Sequence, residues 1–556
     1  MSGCGFLPVE WVLGIGGGWR RVRSMQQLSV AMMVGMSGVL SASALYETSF
    51  EGRSDAKVKQ YQDNEDAVWK SDTPFGISRD HAKSGKQALH LLGGKSELVL
   101  HLRGDLSQAK GVSFVAERWT SKSPFTFRVE AKQGGKWVAL TPLDQLVNVG
   151  RGFPSSVRLA FPEGGEVSAL RFSSNTPEKS GVLIDDFKLL KSAPENPSKA
   201  PKPFVKPSEP LELLEHNDVF VSGEDDTKIY RIPAIITAQN GDLLAVIDAR
   251  RKNAADLIHQ RSIDITFKRS KDNGKTWGAM ETIADLPDGE GASDASLILN
   301  RENGEIFCFY NWMGKTKEFR FYLQSSKDHG VTWSKPKDFT DEIVPKEWNK
   351  LDFKFITSGR GIQTRDGELL HNFVHLPTRS VYLYGSKDGG KSWNFYDAKI
   401  SPADESKVVE LSDGRLMVNS RVGRDYRWVH RSEDRGKTWE SHKEYELPDP
   451  RCNGSIIRYT STKDGYKKDR LLFSNAGSQT GRENLTIRIS YDEGKTWSDG
   501  KVVNPGASAY SSLTILKDGS IGVLYENGNA RTKFARFTLE ALTDGKDKLE
   551  KKYTIQ

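Results

Sequence analysis

Ser270-Lys271-Asp272-Asn273-Gly274-Lys275-Thr276-Trp277 is the first of five copies of an octet in the second half of the chain. The other copies span 326–333, 386–393, 432–439 and 490–497. Every copy keeps Ser at position one, Asp at three, Gly at five, Thr or Ser at seven and Trp at eight. An internal repeat with a period of tens of residues is typical of a solenoid, a propeller or an array.

The spacing of the octets predicts the number of repeating units. The copies begin 46 to 60 residues apart, so the 345 residues from 212 to 556 hold about six units. Short apolar runs such as 243–247, 305–310 and 521–525 read as buried strands, and Asn-Gly or Asp-Gly pairs precede several of them. Four strands in each unit fit a six-bladed β-propeller. A helical solenoid would need an apolar period near 3.6, which no long window shows.

Residues 45–191 carry no octet and alternate apolar with polar positions in short runs, for example 98–102, 125–129 and 183–189. This pattern predicts a small β-sandwich, so the whole chain is expected to be all-β. The opening and closing strands of the segment resemble those of the jelly-roll modules appended to secreted carbohydrate-active enzymes. The segment is therefore either a carbohydrate-binding module or a spacer. Residues 192–211 contain six prolines and are predicted to be an extended linker.

The first 44 residues look like a secretory signal peptide. Arg20, Arg21 and Arg23 precede an apolar run over 28–40, and Ala42-Ser43-Ala44 supplies the small residues of a cleavage site. The run of about 13 residues is short for a bilayer span, so no transmembrane segment is expected after cleavage. We expect cleavage after Ala44 and a secreted, periplasmic or cell-surface protein. The start codon stays open, because Met25 would place the start closer to the apolar run but would remove the arginines.

Composition excludes several classes of protein. The 556 residues are 28% charged with a mean hydropathy of -0.55, typical of a soluble protein of more than one domain. The net charge of +7 is spread without a long Lys/Arg run, so no nucleic-acid partner is expected. Cys4 lies in the leader, and Cys308 and Cys452 lack metal-ligand spacing. These two are predicted to be buried thiols, and no metal site is predicted.

Residues that interrupt the repeat carry the candidate chemistry. Tyr230-Arg231-Ile232-Pro233 opens the first unit, Arg250 follows Arg231 by nineteen residues, and Asp256 lies six residues further on. With the octets, these motifs resemble the bacterial retaining exo-α-sialidase (neuraminidase) family, whose octet is called the Asp-box or BNR repeat. The resemblance covers about 225–540. It implies that the octet forms the turn between the third and fourth strands of a blade.

The resemblance also implies five further site residues in the order in which the family places them. These residues are Asp294 before a strand of the second unit, Glu405, Arg421, Arg482 and Tyr510. Arg231, Arg421 and Arg482 come from three different units and are expected to converge on the carboxylate of sialic acid. Arginine suits this task because its planar fork forms charge-assisted, bidentate hydrogen bonds with a carboxylate.

The remaining roles follow from the charge of such a substrate. A carboxylate nucleophile would approach a carbon that already bears a carboxylate, whereas a neutral phenol avoids this repulsion, and sialidases use tyrosine. Tyr510 is therefore the expected nucleophile, with Glu405 as its base, and Asp256 is the expected acid and base at the aglycone oxygen. Arg250 and Asp294 are expected to bind ring substituents. Trp312 either lines the pocket for the acyl group or packs within its strand.

Taken together, the sequence predicts a secreted exo-α-sialidase that retains anomeric configuration through a tyrosyl-sialyl intermediate and acts on sialylated glycoproteins, glycolipids and mucins. This chemistry requires no metal and no organic cofactor. A propeller that binds glycans or proteins without catalysis is the alternative from another class. Action on a related acidic sugar and sialyl transfer also stay open within the enzymes. Linkage preference does not follow from the sequence.

Overall fold

The computed structural model describes residues 44–51, 56–79, 82, 85–120, 124–140, 143, 146–147, 155–194, 197–198, 210–287, 289–479 and 481–554. Nearly all of the predicted signal peptide and most of the predicted proline-rich linker lie outside these residues. Within the described part of the chain, no helix is both long enough and apolar enough to cross a membrane.

The N-terminal strands form a β-sandwich around a core of its own. The strands are β1 (Ala44–Thr48), β2 (Ala56–Asn64), β3 (Ala67–Ser78), β4 (Ala88–Leu102), β5 (Gly111–Arg118), β6 (Thr126–Gln133), β7 (Lys136–Ala139), β8 (Ser155–Ala160) and β9 (Val167–Leu190). The long strand β9 pairs with β6 along its first half and with β5 along its second half. It therefore contributes to both layers of the sandwich. Trp69 lies at the centre of the core, and its ring contacts those of Phe50, Phe172 and Phe187.

The rest of the described chain forms six sheets, and each sheet is one blade of a propeller. The strand β10 (Glu215–Val221) comes first in the chain. Blade one contains β11 (Ile229–Thr237), β12 (Leu243–Arg250), β13 (Ile263–Ser270) and β14 (Glu281–Ala284). Blade two contains β15 (Gly291–Leu299), β16 (Ile306–Met313), β17 (Phe319–Ser326) and β18 (Lys337–Asp338). Blade three contains β19 (Lys354–Ile356), β20 (Gly359–Arg360), β21 (Ile362–Gln363), β22 (Leu369–His375), β23 (Ser380–Ser386) and β24 (Asn394–Ile400), although β20 pairs with β15 of blade two.

The last three blades complete the ring. Blade four contains β25 (Ser406–Glu410), β26 (Leu416–Ser420), β27 (Arg424–Ser432) and β28 (Glu440–Pro450). Blade five contains β29 (Ser455–Thr460), β30 (Arg470–Ala476), β31 (Glu483–Ser490) and β32 (Lys501–Ala507). Blade six contains β33 (Ser511–Ile515), β34 (Ile521–Asn527) and β35 (Arg531–Phe537). The described helices are short: α1 (Thr340–Ile343), α2 (Leu539–Leu542) and the 3₁₀ turns Gly104–Gln108, Leu376–Thr378 and Thr462–Asp464.

The ring closes through strands from opposite ends of the propeller sequence. The strand β10, which precedes blade one in the sequence, pairs with β35 as the outer strand of blade six. The hydrogen bonds between β10 and β35 therefore join the beginning of the propeller sequence to its end. The fold prediction of six blades after a β-sandwich is confirmed.

Each octet lies in the turn between the third and fourth strands of its blade, as the resemblance implied. In the first copy, Asp272 accepts hydrogen bonds from the Ser270 hydroxyl at 2.8 Å and from the amide and hydroxyl of Thr276 at 3.0 and 2.6 Å. These bonds lower the pKa of Asp272 to about 2. Gly274 has φ +85°, a conformation that glycine adopts without steric cost.

The tryptophans of the octets join neighbouring blades. Trp277 of blade one packs against Phe534 of blade six, with ring centroids 5.4 Å apart. Trp333 and Trp393 make the same kind of contact with phenylalanines of the preceding blades. The octet therefore has a structural role: its aspartate fixes a turn and its tryptophan fills the space between two blades. Cys308 and Cys452 are buried free thiols, as predicted.

Candidate active site

The first strand of each blade lies at the propeller axis, and this brings distant parts of the chain together. The amide of Ile235 on β11 donates to the Ser512 hydroxyl of β33 at 3.3 Å, and the hydroxyls of Thr237 and Thr514 are 2.8 Å apart. Arg231, Asp294, Glu405 and Tyr510 lie at or near the beginnings of inner strands, and Arg250, Arg421 and Arg482 lie at the same end of the blades, after a second strand or before a third. They therefore gather at one end of the axis, although almost 280 residues separate Arg231 from Tyr510 in sequence.

Tyr510 and Glu405 form the centre of this cluster. The Tyr510 hydroxyl donates to Glu405 Oε1 at 2.5 Å, and Arg421 Nη1 donates to the same hydroxyl at 2.8 Å. Arg421 also forms an ion pair with Glu405 Oε2. The tyrosine is 7% exposed and Glu405 is 5% exposed, so both groups lie in a site of low dielectric. A phenol, its proton acceptor and a guanidinium are thus in direct contact.

Burial and the Glu405 carboxylate raise the pKa of Tyr510 well above its usual value, although Arg421 opposes the shift. Burial alone would lower the pKa of Arg421, but the carboxylate of Glu405 holds it above its usual value. At neutral pH the phenol is therefore neutral and the guanidinium is charged. Attack by Tyr510 requires a base that takes its proton, and Glu405 is positioned for this transfer.

Three arginines surround Tyr510 from three blades. The guanidinium carbon of Arg482 lies 5.4 Å from the centroid of the Tyr510 ring, and that of Arg231 lies 5.8 Å from it. Arg421 bonds to the hydroxyl. Arg482 is solvent-exposed and donates to the carbonyl of Arg451 at 3.1 Å, whereas Arg231 and Arg421 are largely buried. Three positive charges around one phenol form a site for a planar anion.

Glu526 orients the first of these arginines and was not identified from the sequence. Its Oε1 accepts from Arg231 Nε at 2.6 Å and from the Ile232 amide at 2.8 Å, and its Oε2 accepts from the Tyr510 amide at 3.2 Å. The Glu526 side chain is 1% exposed. Ile232 itself has φ +65°, which is rare for a β-branched residue. A signal for Glu526 existed, because it is the one acidic residue in the otherwise apolar run of β34.

Arg250 and Asp256 form the second part of the site. Arg250 is 1% exposed and donates to Asp256 Oδ1 at 2.7 Å through Nη1. The Asp256 side chain is 72% exposed, so it projects into solvent beside this arginine. Burial alone would lower the pKa of Arg231, but the carboxylate of Glu526 raises it above its usual value. The carboxylate of Asp256 contributes to this rise. Asp256 is therefore within electrostatic reach of the Arg231 side of the cluster.

Asp248 connects Arg250 with Asp294 and was also missed in the sequence. It is fully buried, accepts from Arg250 Nη2 at 3.2 Å, from the Ser293 hydroxyl at 2.5 Å and from the Asp294 amide at 3.0 Å. Burial raises the pKa of Asp248 to about 6 despite Arg250. Asp248 lies two residues before Arg250 on the same strand. In the sequence, the only sign of its contacts was a charged residue within an apolar run.

Asp294 has a left-handed backbone conformation with φ 62°. Its Oδ2 accepts from Asn311 Nδ2 at 3.1 Å. Burial, followed by the charges of Asp248 and Glu405, raises the pKa of Asp294 well above its usual value. Asp294 is thus poised to hold a proton and to donate a hydrogen bond to a neutral oxygen or accept one from a hydroxyl.

Trp312 is held within its own blade. Its Nε1 donates to Glu290 Oε2 at 2.9 Å, and its ring centroid is 5.7 Å from that of Tyr322 on the neighbouring strand. This is the packing alternative of the two that the sequence allowed. The structure brings the eight other sequence-predicted residues together in two groups. One group consists of Tyr510, Glu405 and the three arginines, and the other of Arg250, Asp256 and Asp294. The two groups interact electrostatically, for example through Asp256 and Arg231.

The fold and this site define a class: six-bladed propellers with Asp-box turns and a cluster of arginines, carboxylates and one tyrosine at the axis. The family model of the BNR repeat-like domain matches residues 233–523, just over half of the chain. The chain belongs to this family.

Two curated proteins with sequences similar to this chain are sialidases. A sialidase of Micromonospora viridifaciens is 36% identical over 361 residues, which are 59% of this chain and 54% of the relative. A sialidase of Bacteroides fragilis is 32% identical over 351 residues, 57% of this chain and 64% of the relative. The chain thus spans between half and two thirds of the length of these two relatives.

Solved structures support the fold. The Hadza microbial sialidase Hz136 superposes with a TM-score of 0.53 at 24% identity, covering 78% of this chain and 94% of that one. The intramolecular trans-sialidase of Ruminococcus gnavus superposes with a TM-score of 0.51 at 19% identity, covering 58% and 98%. At these identities the likeness concerns architecture alone.

Proposed function

We propose that the protein is an exo-α-sialidase that hydrolyses terminal sialic acids with retention through a covalent bond to Tyr510. One observation carries this proposal: the Tyr510 hydroxyl lies 2.5 Å from Glu405 Oε1 inside a ring of three arginines. A scaffold propeller has no physical reason to bury this set of charges around a phenol. The names of the relatives, sialidases in two bacteria, point to the same activity.

Substrate binding is driven by charge. The sugar carboxylate would lie between Arg231, Arg421 and Arg482, where each charge-assisted hydrogen bond contributes roughly 1.5–3 kcal/mol. Arg250 and Asp294 would bind the ring substituents on the other side. A substrate that engages Arg250 frees Asp256 from its hydrogen bond with that arginine and turns the carboxyl group toward the aglycone oxygen.

The reaction then proceeds in two displacements. Tyr510 Oη bonds to the anomeric carbon while Glu405 takes the phenolic proton and Asp256 gives a proton to the departing aglycone oxygen. In the second step Asp256 takes a proton from water, the water oxygen bonds to the anomeric carbon, and Glu405 returns the proton to Tyr510. Two inversions at the same carbon give retention.

The first test removes the nucleophile. Tyr510→Phe keeps the ring but deletes the hydroxyl, so it should lose most turnover of an aryl sialoside and still bind sialic acid. Proton NMR of wild-type digests of α2,3- and α2,6-sialyllactose should show the α-anomer released first and should report linkage preference. A wild-type rate in Tyr510→Phe, or initial release of the β-anomer, would refute the role of Tyr510 as the nucleophile. Binding without any release of sugar by the wild type would favour the non-catalytic propeller.

The second test addresses the acid. Asp256→Ala should reduce turnover of sialyllactose by far more than turnover of an aryl sialoside, because only the former has a poor leaving group that needs a proton. Asp285→Ala, an exposed aspartate at the end of blade one, is the control. Equal losses on both substrates would contradict the role of Asp256.

We further propose that the substrates are sialylated glycoproteins, glycolipids and mucins outside the cytoplasm, reached after cleavage of the leader at Ala44. The support is the sequence of the leader and the exposure of Asp256 at the mouth of the site. N-terminal sequencing of exported protein should begin at Leu45. A mature protein that retains the leader would contradict this proposal.

A further inference from the structure

Lys407 is a buried lysine directly below the proposed base. It lies on β25 two residues after Glu405 and is 2% exposed. Successive side chains of a strand alternate between faces, so Glu405 and Lys407 share the face turned to the axis, with backbones about 7 Å apart. Lysine is almost never fully buried without a partner. The position therefore calls for a physical reason.

The surrounding residues build a compartment for this side chain. Lys407 Nζ donates to Asn453 Oδ1 at 2.8 Å, and Asn453 Nδ2 donates to the Ser358 hydroxyl at 3.0 Å. Gly359 has φ +105°, and a Cβ at that position would lie 3.0 Å from Lys407 Cε and 3.7 Å from Nζ. The same point is 3.8 Å from the hydroxyl of Ser512, which follows Tyr510 by two residues. Lys407 thus occupies the layer beneath Tyr510 and Glu405, in space that only glycine leaves free.

The charges that face this compartment come from several blades. Those around Lys407 are Glu405 of its own segment, Asp294 of β15, Arg427 of β27 and His371 of β22. Those around Glu405 are Arg421, Asp404, Asp294 and the phenol of Tyr510. Burial lowers the pKa of Lys407 to about 7, with Glu405 opposing the shift and Arg427 adding to it. Burial and Lys407 lower the pKa of His371 to about 3, so that ring is neutral.

We propose that Lys407 is a positioning residue whose ammonium group holds Glu405 as a carboxylate, so that Glu405 can accept the proton of Tyr510. The proposal rests on the sialidase function proposed above and adds a residue to it. Arg421 contacts Glu405 from above, but the same guanidinium must also bind the incoming substrate carboxylate. A cation beneath the site, out of reach of the substrate, keeps its interaction with Glu405 when the substrate arrives.

The direction of the expected effect follows from charge. Removal of the positive charge of Lys407 disfavours the ionised form of the neighbouring Glu405 side chain. The acidic limb of the profile of kcat/KM against pH should therefore move to higher pH. Lys407 carries its charge only below its own pKa of about 7, so the variant and the wild type should converge at alkaline pH.

The experiment uses the full chain and an aryl sialoside between pH 4 and 9. Lys407→Met removes the charge at similar volume, and Lys407→Gln also retains a donor for Asn453. Lys354→Met is the matched control, because Lys354 is another lysine that is 2% exposed, with Nζ donating to the carbonyl of Lys350 at 2.9 Å. Both Lys407 variants should shift the acidic limb to higher pH, and the control should not. A loss of rate that is uniform across pH, or an unmoved limb, would overturn the proposal.

A second measurement does not depend on turnover. With glutamate labelled by ¹³C at the carboxyl carbon, the resonance of Glu405 is the one that disappears in Glu405→Gln. Its titration midpoint should be higher in Lys407→Met and Lys407→Gln than in the wild type, whereas an unchanged midpoint would overturn the proposal. If the wild type released no sialic acid, the sialidase function would fail, yet this titration would still decide whether Lys407 stabilises the carboxylate.

Discussion

Glu526 shows how much a single buried carboxylate organises at the residue scale. It accepts three hydrogen bonds, from Arg231, Ile232 and Tyr510, and so fixes an arginine and the backbone of Tyr510 together. In Glu526→Gln the amide nitrogen must face one of these donors, and the charge that balances Arg231 is lost. Hydrogen bonds to charged groups contribute about 1.5–3 kcal/mol, so we expect KM to rise by about ten- to a hundredfold.

The effect of Glu526→Gln on kcat should be smaller, because the phenol, Glu405 and Arg421 keep their contacts. Steady-state kinetics on an aryl sialoside give both constants, and Glu281→Gln, an exposed glutamate of β14, serves as the control. A fall in kcat with an unchanged KM would mean that Glu526 acts on Tyr510 rather than on Arg231.

The eight site residues named from the sequence were found because their types, order and spacing follow a family pattern. Glu526, Asp248 and Lys407 were not, because they act through contacts with the neighbouring blade. Asp248, for example, joins Arg250 of blade one to the Asp294 amide of blade two. A charge within a buried strand, as at Asp248 and Glu526, was the available signal. It shows that a residue needs a partner without saying which one.

At the scale of the element, the Asp-box turn links local hydrogen bonding to stability. Asp328 accepts from Ser326 Oγ at 2.7 Å, from the Thr332 amide at 2.8 Å and from the Thr332 hydroxyl at 2.5 Å. Asp328→Ala removes these bonds from a partly exposed turn, so we expect a loss of about 1–2 kcal/mol and a Tm lower by about 2 °C. Catalysis should be unchanged. Lys327→Ala in the same turn is the control, because Lys327 is exposed.

This contribution should depend on pH in a defined direction. Hydrogen bonds from Thr332 lower the pKa of Asp328 to about 2, below the usual value of an aspartate. The stabilisation is therefore present above about pH 4 and is lost as the pH falls through about 2. Thermal melts of the wild type and Asp328→Ala should differ at pH 7 and should approach each other at about pH 2. An equal difference at both would show that the carboxylate charge is not involved.

The octets also explain which elements could be predicted. They give the third and fourth strands of five blades directly, because each octet is the turn between them. Blade six has no octet and followed only from the length of the chain. The broken inner strand of blade three was not predicted: the two-residue strand Gly359–Arg360, which Gly361 follows, leaves its own blade to pair with β15. Such a change of partner depends on the neighbouring blade and not on the local sequence.

At the scale of the whole molecule, two separate cores carry the stability. The sandwich packs around Trp69 and Phe172, and the propeller is held by clusters that connect one blade to the next. Described contacts between the two parts include Tyr445 of β28 against the sandwich core and a half-exposed ion pair of Arg158 with Glu440 at 3.3 Å. An exposed ion pair contributes less than about 1 kcal/mol. The two parts should therefore unfold as separate units.

Substitutions in each core test this independence. Phe220 lies on the closing strand β10 and packs against Tyr230 of blade one, with ring centroids 5.1 Å apart, whereas Phe172 lies in the sandwich, and both are fully buried. Phenylalanine to alanine in a core costs about 3–5 kcal/mol. Scanning calorimetry of the full chain should show two transitions. Phe220→Ala should lower the propeller transition by about 5 °C and Phe172→Ala the smaller sandwich transition by about 10 °C, each leaving the other in place. Movement of both transitions by either substitution would mean that the contact through Tyr445 couples the two parts into one cooperative unit. The sandwich would then help to support the blade that supplies Glu405 and Arg421.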